Sequence, residues 1–226
     1  MESTPIFLKP RGFTLVEMIV VVAIIAMLTV VVINGQTSFN KSLTVTDTAY
    51  TVALSLREAQ TFGLSSRTFG GKSNAGYGAH FTTASTKSYL LFADIQQGGG
   101  QPTWCPTTHT GQVDDKPGNC LYDTSTEIVQ TYTFGRGFYI SKLCGHDFQQ
   151  PGVLRCSTDA SNPLTAVDTV FIRPNTDSVI TGILQNSTQV QLVDANIVLS
   201  EPAGVGSRVI CLSYAGQISI ASTTCP

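Results

Sequence analysis

Hydrophobic positions fall into three regimes along this 226-residue chain. From Phe13 to Ile33 they run almost without interruption. From Val45 to Gly63 they return every third or fourth residue. Beyond Tyr77 they come in short runs separated by turn residues. Each regime predicts a different element: a membrane-length helix, an amphipathic helix and a set of strands.

The first run is the most informative. Met18 to Ile33 carries no charge, and its single polar residue is Thr29. As a helix, Phe13–Ile33 reaches about 30 Å, the thickness of one bilayer core. Lys9 and Arg11 precede it with no acidic residue close by. The positive-inside rule therefore places residues 1–12 in the cytoplasm and 34–226 outside. A cleaved secretory signal would need a small-residue cleavage site after a shorter apolar core. Ala23 and Ala26 have the spacing but lie in mid-run. A plain membrane anchor explains the length but not Glu17, because an acid within an apolar segment marks a functional site by default.

In the second regime Val45, Ala49, Val52, Leu56, Ala59 and Gly63 form one stripe, with Asp47, Arg57 and Glu58 off it. This predicts a helix over 34–66 that continues the membrane segment, bends near Asn34-Gly35 and ends around Ser65. Its outer half should pack on a sheet. The third regime predicts strands at Tyr77–Thr82, Tyr89–Asp94, Glu127–Phe134, Phe138–Ser141, Thr169–Arg173, Ser178–Leu184, Val190–Leu199, Arg208–Tyr214 and Gln217–Ile220. Ile128, Tyr132 and Phe134 should share one face, as should Ile218 and Ile220. Residues 95–126 read as a long loop. The fold class is α+β: a long N-terminal helix packed on an antiparallel sheet.

Composition refines this picture in two places. Charged residues make up only 12% and the net charge is −2, so no global field favours nucleic acid. All six cysteines lie after residue 100, at Cys105, Cys120, Cys144, Cys156, Cys211 and Cys225. In an exported, looped domain an even set reads as disulfides. Six cysteines permit 15 pairings, of which the simplest is sequential: Cys105–Cys120, Cys144–Cys156 and Cys211–Cys225. Zinc is a rival reading through Cys105 with His109, or Cys144 with His146 and Cys156, although no pair of C-x-x-C hooks is present.

Signs of enzyme chemistry are sparse. There is no nucleophile elbow, H-E-x-x-H or Walker loop, and no cofactor motif. Gly204-Val205-Gly206-Ser207 reads as a turn, Asp114-Asp115 as a solvated loop, His80 as a packed or solvent-facing residue and Trp104 as a loop anchor.

Gly12-Phe13-Thr14-Leu15-Val16-Glu17, followed by the apolar run, resembles the class III signal of type IV prepilins and type II secretion pseudopilins. The resemblance implies cleavage between Gly12 and Phe13 by a prepilin peptidase and N-methylation of Phe13. Glu17 then becomes the fifth residue of the mature chain and the assembly residue. Cleavage would create a cationic amine on Phe13, which a neighbouring subunit's Glu17 can meet.

The rest of the chain is similar to the H-type minor pseudopilins and related minor pilins (the GspH/FimT type). Leu54–Gln60 resembles their conserved helix. Tyr77–Phe81 with Tyr89–Asp94 resembles a first hairpin, Phe171–Asn175 a central strand and its turn, and Arg208–Ser213 with Gly216 a final hairpin. Family members often carry Gly-Arg in that last hairpin, and some bind DNA there. This chain has Gly216-Gln217, which counts against DNA binding through that site.

The implied organisation is a leader over 1–12, a transmembrane and filament-core helix over 13–33, an amphipathic helix over 34–66 and an extracytoplasmic β-rich domain over 67–226. The implied function is a minor pilin or pseudopilin. The alternatives are a major pilin of the shaft, or an anchored binding protein that never polymerises. Implied partners are other subunits, the peptidase, an inner-membrane assembly platform and, before assembly, membrane lipid. No metal or cofactor is expected.

Overall fold

In a computed structural model the structure describes residues 12–65, 67–95, 102–106, 118–202 and 206–225, with the backbone alone for 34–42. The leader up to Arg11 lies outside these residues, as do Gly98-Gly99-Gly100, His109, Asp114-Asp115 and Gly204-Val205. The chain divides into two compact units, residues 1–40 and 41–226.

Helix α1 runs from Leu15 to Leu64 and includes Asn34-Gly35. In the first unit every described side chain is exposed. In the second, Val45, Ala49, Val52, Leu56 and Ala59 are no more than 1% exposed. Full burial of one large aliphatic or aromatic side chain contributes about 1.5–3 kcal/mol, so this stripe supplies the force that docks the helix. Gly63 ends the stripe for a steric reason. A Cβ there would lie 2.2 Å from the Phe171 carbonyl oxygen, so only glycine permits that approach.

The strands form two antiparallel sheets rather than one. They are β1 (Gly76–Thr82), β2 (Ser88–Asp94), β3 (Ile128–Thr133), β4 (Tyr139–His146), β5 (Leu154–Cys156) and β6 (Leu164–Phe171), then β7 (Ser178–Leu184), β8 (Gln189–Gln191), β9 (Asp194–Ser200), β10 (Ser207–Ser213) and β11 (Ile218–Ala221). The first sheet has the order β3-β2-β1-β6-β7-β8 and the second β11-β10-β9-β4-β5. The helix stripe joins one core with Phe81, Leu91 and Phe171 of the first sheet and Ile197, Leu199 and Ile210 of the second.

Polar groups on α1 fix its position on this core. Ser55 Oγ and the Tyr89 hydroxyl share a hydrogen bond of 2.8 Å. The Tyr132 hydroxyl donates to Glu58 Oε2 at 2.9 Å. Gln60 Nε2 donates to the carbonyls of Thr176 and Gly216, at 3.3 and 3.2 Å. Tyr89 is also stacked between Phe81 and Tyr132. Burial pushes the Tyr89 phenol well up, and burial together with Glu58 pushes Tyr132 up to about 12.

Several strands depart from the periodic reading, each where alternation breaks. The stretch Val190–Leu199 is two strands, β8 in the first sheet and β9 in the second. Buried residues alternate at Ala195, Ile197 and Leu199, but the next buried position back is Leu192, three residues away. That slip marks the crossing between sheets. β4 continues to His146 because the β4–β9 register shifts between Ile140 and Lys142. Ile140 and Leu143, three apart, are therefore both buried. On β3, Leu91 pairs with Gln130 and Phe92 with Ile128, leaving Val129 as the extra residue. Val129 rather than Ile128 consequently packs on the core beside Tyr132. β6 begins earlier than expected and is buried on both faces, so it shows no alternation. β5 has three residues, too few to register as a strand by pattern.

Candidate functional site

The segment singled out by sequence, Gly12 to Glu17, is exposed throughout. Thr14 immediately precedes α1 and caps it. Its Oγ1 accepts a hydrogen bond from the Glu17 amide at 3.2 Å, while its carbonyl accepts from the Met18 amide at 3.2 Å. Thr14-x-x-Glu17 has the spacing of a capping box, a signal overlooked when Glu17 is read only as a charge in an apolar run. Both bonds lie within Thr14–Met18 and neither uses Gly12. Scission between Gly12 and Phe13 would therefore leave the first helical turn intact. An acid in that turn is also favoured by the positive end of the helix dipole.

Leu15–Ile33 is the stretch long and apolar enough to cross a membrane, and none of it is buried within the chain. Its one hydroxyl is satisfied internally, since Thr29 Oγ1 donates to the Ile25 carbonyl at 2.7 Å. A helix facing hydrocarbon must meet every polar demand in this way.

The cysteines pair as Cys105–Cys120, Cys144–Cys156 and Cys211–Cys225, closing separations of 15, 12 and 14 residues. Cys144 and Cys156 face each other across β4 and β5. His146, of the rival zinc set, is instead hydrogen-bonded to Asp194 Oδ2 at 2.8 Å. Among the described residues no cluster of metal-ligating side chains occurs. Trp104 is an anchor, donating from Nε1 to Thr181 Oγ1 at 3.1 Å. His80 Nδ1 lies 2.5 Å from Oδ1 of the fully buried Asp168.

A second feature escaped the sequence reading. Five consecutive backbone amides, from Asn119 to Asp123, all donate to side-chain oxygens. Asn119 and Cys120 donate to the two oxygens of Asp94, at 2.9 and 2.8 Å. Leu121 donates to Asn119 Oδ1, Tyr122 to Asp168 Oδ2 and Asp123 to Glu127 Oε2. The other Glu127 oxygen accepts from the Ile95 amide. Buried acids thus replace a strand partner for this segment and hold it where Cys120 meets Cys105. Burial pushes the Asp94 carboxyl well above its ordinary range, with Glu127 and Asp123 acting in the same direction against the two amide donors. Nothing in the hydrophobic pattern predicts such a segment, because it carries no period.

Comparison with known families identifies the N-terminal feature. The family model described as the prokaryotic N-terminal methylation motif matches residues 8–33. No curated protein and no solved structure matches the chain. The motif, together with the exposed apolar helix, defines a prepilin-type signal and supports a type IV pilin-like or pseudopilin-like subunit carrying one membrane-anchoring helix. Its three disulfides suit an exported domain.

Proposed function

We propose that this chain is a minor pilin or pseudopilin, a structural subunit of a bacterial type IV pilus or type II secretion-type filament. In this reading a prepilin peptidase removes residues 1–12 on the cytoplasmic side, and Phe13 becomes the methylated N-terminus. Residues 13–33 hold the subunit in the cytoplasmic membrane with the β-rich domain outside. An inner-membrane assembly platform then passes it from lipid to a filament of other subunits. For the domain beyond the membrane this reading takes up the resemblance to the H-type branch.

One observation carries the proposal: a helix apolar and exposed on all sides begins with a single acid, Glu17, in its capped first turn beside the cleavage motif. Transfer of that carboxylate into a packed helical core is expensive unless a cation meets it. The amine that cleavage would create on Phe13 of an adjoining subunit is such a cation. Low dielectric strengthens the attraction while desolvation offsets part of it, so the pair sets axial register more than it adds net stability.

Replacing Glu17 tests this directly. Glu17→Ala is expected to be cut and methylated normally, as mass spectrometry of the N-terminus would show, yet to be lost from sheared filaments. Wild-type levels of incorporation would refute the assembly role. A first residue other than Phe13 would refute the processing assignment.

A further inference from the structure

Two asparagines open an Asn-x-Ser/Thr triplet, the acceptor pattern for an N-linked glycan: Asn40-Lys41-Ser42 and Asn186-Ser187-Thr188. The fold treats them differently. Asn40 lies within α1, where the amide two residues on belongs to the helical ladder. Asn186 lies in the turn that joins β7 to β8, and Gln185 to Thr188 are all exposed. Two backbone bonds close this turn. The Leu184 amide donates to the Thr188 carbonyl at 2.9 Å, and the Ser187 amide to the Leu184 carbonyl at 2.8 Å. Ser187 takes up the reversal in the left-handed region, with φ 65°. The Gln185 amide donates to the Pro163 carbonyl and the Asn186 amide to Asn162 Oδ1, which braces the turn on the loop before β6.

The Asn186 side chain is held by its oxygen alone. Oδ1 accepts from the Thr188 amide at 3.0 Å, an Asx turn. Among the described residues neither Asn186 Nδ2 nor the Thr188 hydroxyl makes a hydrogen bond. The nitrogen that would be modified and the hydroxyl that would be read are therefore ordered together, exposed and uncommitted. The competing reaction of an Asn-Ser pair is ring closure on Cγ by the Ser187 nitrogen. That amide is already donated to Leu184, so the turn disfavours it.

We propose that Asn186 is the acceptor of an N-linked glycan. The proposal rests on the reading above that places the β-rich domain outside the cytoplasmic membrane. There a membrane transferase can draw on a glycan carried by a polyprenyl diphosphate. Nδ2 attacks C1 of the first sugar, and the N–C bond forms as the C1–O bond to the diphosphate breaks. The diphosphate leaves with the electron pair, and one Nδ2 proton passes to a base of the transferase. Thr188 makes no bond in this step; its hydroxyl is the feature recognised. β8 ends the first sheet, so a bulky hydrated group at its start would keep other strands from adding to that edge.

The test is peptide mass spectrometry of the full chain recovered from its own cells. Asn186 should carry carbohydrate and Asn40 should be bare. Thr188→Ala should lower occupancy about tenfold, whereas Thr188→Ser should keep most of it. Asn186→Asp should abolish it yet preserve the turn, because an aspartate oxygen still accepts from the Thr188 amide. Carbohydrate that survives Asn186→Asp sits elsewhere and overturns the assignment. A chain cut before Phe13, with its disulfides formed but Asn186 bare, would also overturn it and leave the filament reading intact. An uncut chain with free thiols and a bare Asn186 would overturn both.

Discussion

The two stretches of α1, residues 15–33 and 45–63, share one secondary structure and little else. The first is apolar on every side and exposed on every side; the second is apolar along one stripe, and that stripe is buried. A buried stripe finds its partner within its own chain, here two sheets folded from residues 76–221. A helix apolar all round has no such partner and is written for a different solvent, first lipid and then, as proposed, other helices. Burial alone thus separates what the sequence does for its own fold from what it would do for the proposed assembly.

Substitutions should divide along the same line. Leu56→Ala, in the buried stripe, is expected to lower the unfolding free energy of the full chain in detergent by about 2–5 kcal/mol. Ile24→Ala, in the exposed stretch, should leave that value unchanged when both are measured by denaturant melts. Equal losses would erase the distinction between the stretches.

A subtler test concerns Asp94, which belongs wholly to the self-folding region. Its raised carboxyl binds a proton more tightly in the folded chain than in the unfolded one. Its contribution is therefore greatest below the ordinary aspartate range and is lost as pH rises through the raised value. Asp94→Asn should flatten that part of the stability profile, read as urea midpoints from acid to neutral pH. An unaltered slope would show that another group sets it. The smallest effect is expected at the helix–sheet seam. Glu58→Gln should return Tyr132 part of the way from about 12 toward its ordinary 10.0 in an ultraviolet titration, with burial holding the remainder. No movement would place Glu58 outside the hydrogen bond that ties β3 to α1.

Legibility from sequence followed periodicity. Val45, Ala49, Val52, Leu56, Ala59 and Gly63 read correctly as the inner face because a 3.6-residue period has few other causes. The α+β class followed from the same pattern. The number of sheets did not, since one crossing at Leu192–Asp194 splits what reads as a single strand. Bulges at Val129 and Ser141 shifted the faces of β3 and β4, and a bulge leaves no compositional trace in one sequence. At the N-terminus the motif was evident, but the cap that organises it was hidden, because Glu17 drew notice as a misplaced charge rather than as the fourth residue of Thr14-x-x-Glu17. The acid-held turn at Asn119–Asp123 was invisible for a different reason: its partners Asp94, Asp168 and Glu127 are scattered along the chain and meet only in the fold.

The three covalent loops have a mechanical corollary. A subunit pulled from both ends would ordinarily pay out all its chain as it gives way. Here the spans 105–120, 144–156 and 211–225 are each short-circuited. Together they withhold about 140 Å of extensible contour. A strand of such subunits under load would lengthen less at each rupture, and reducing agent would return that hidden slack.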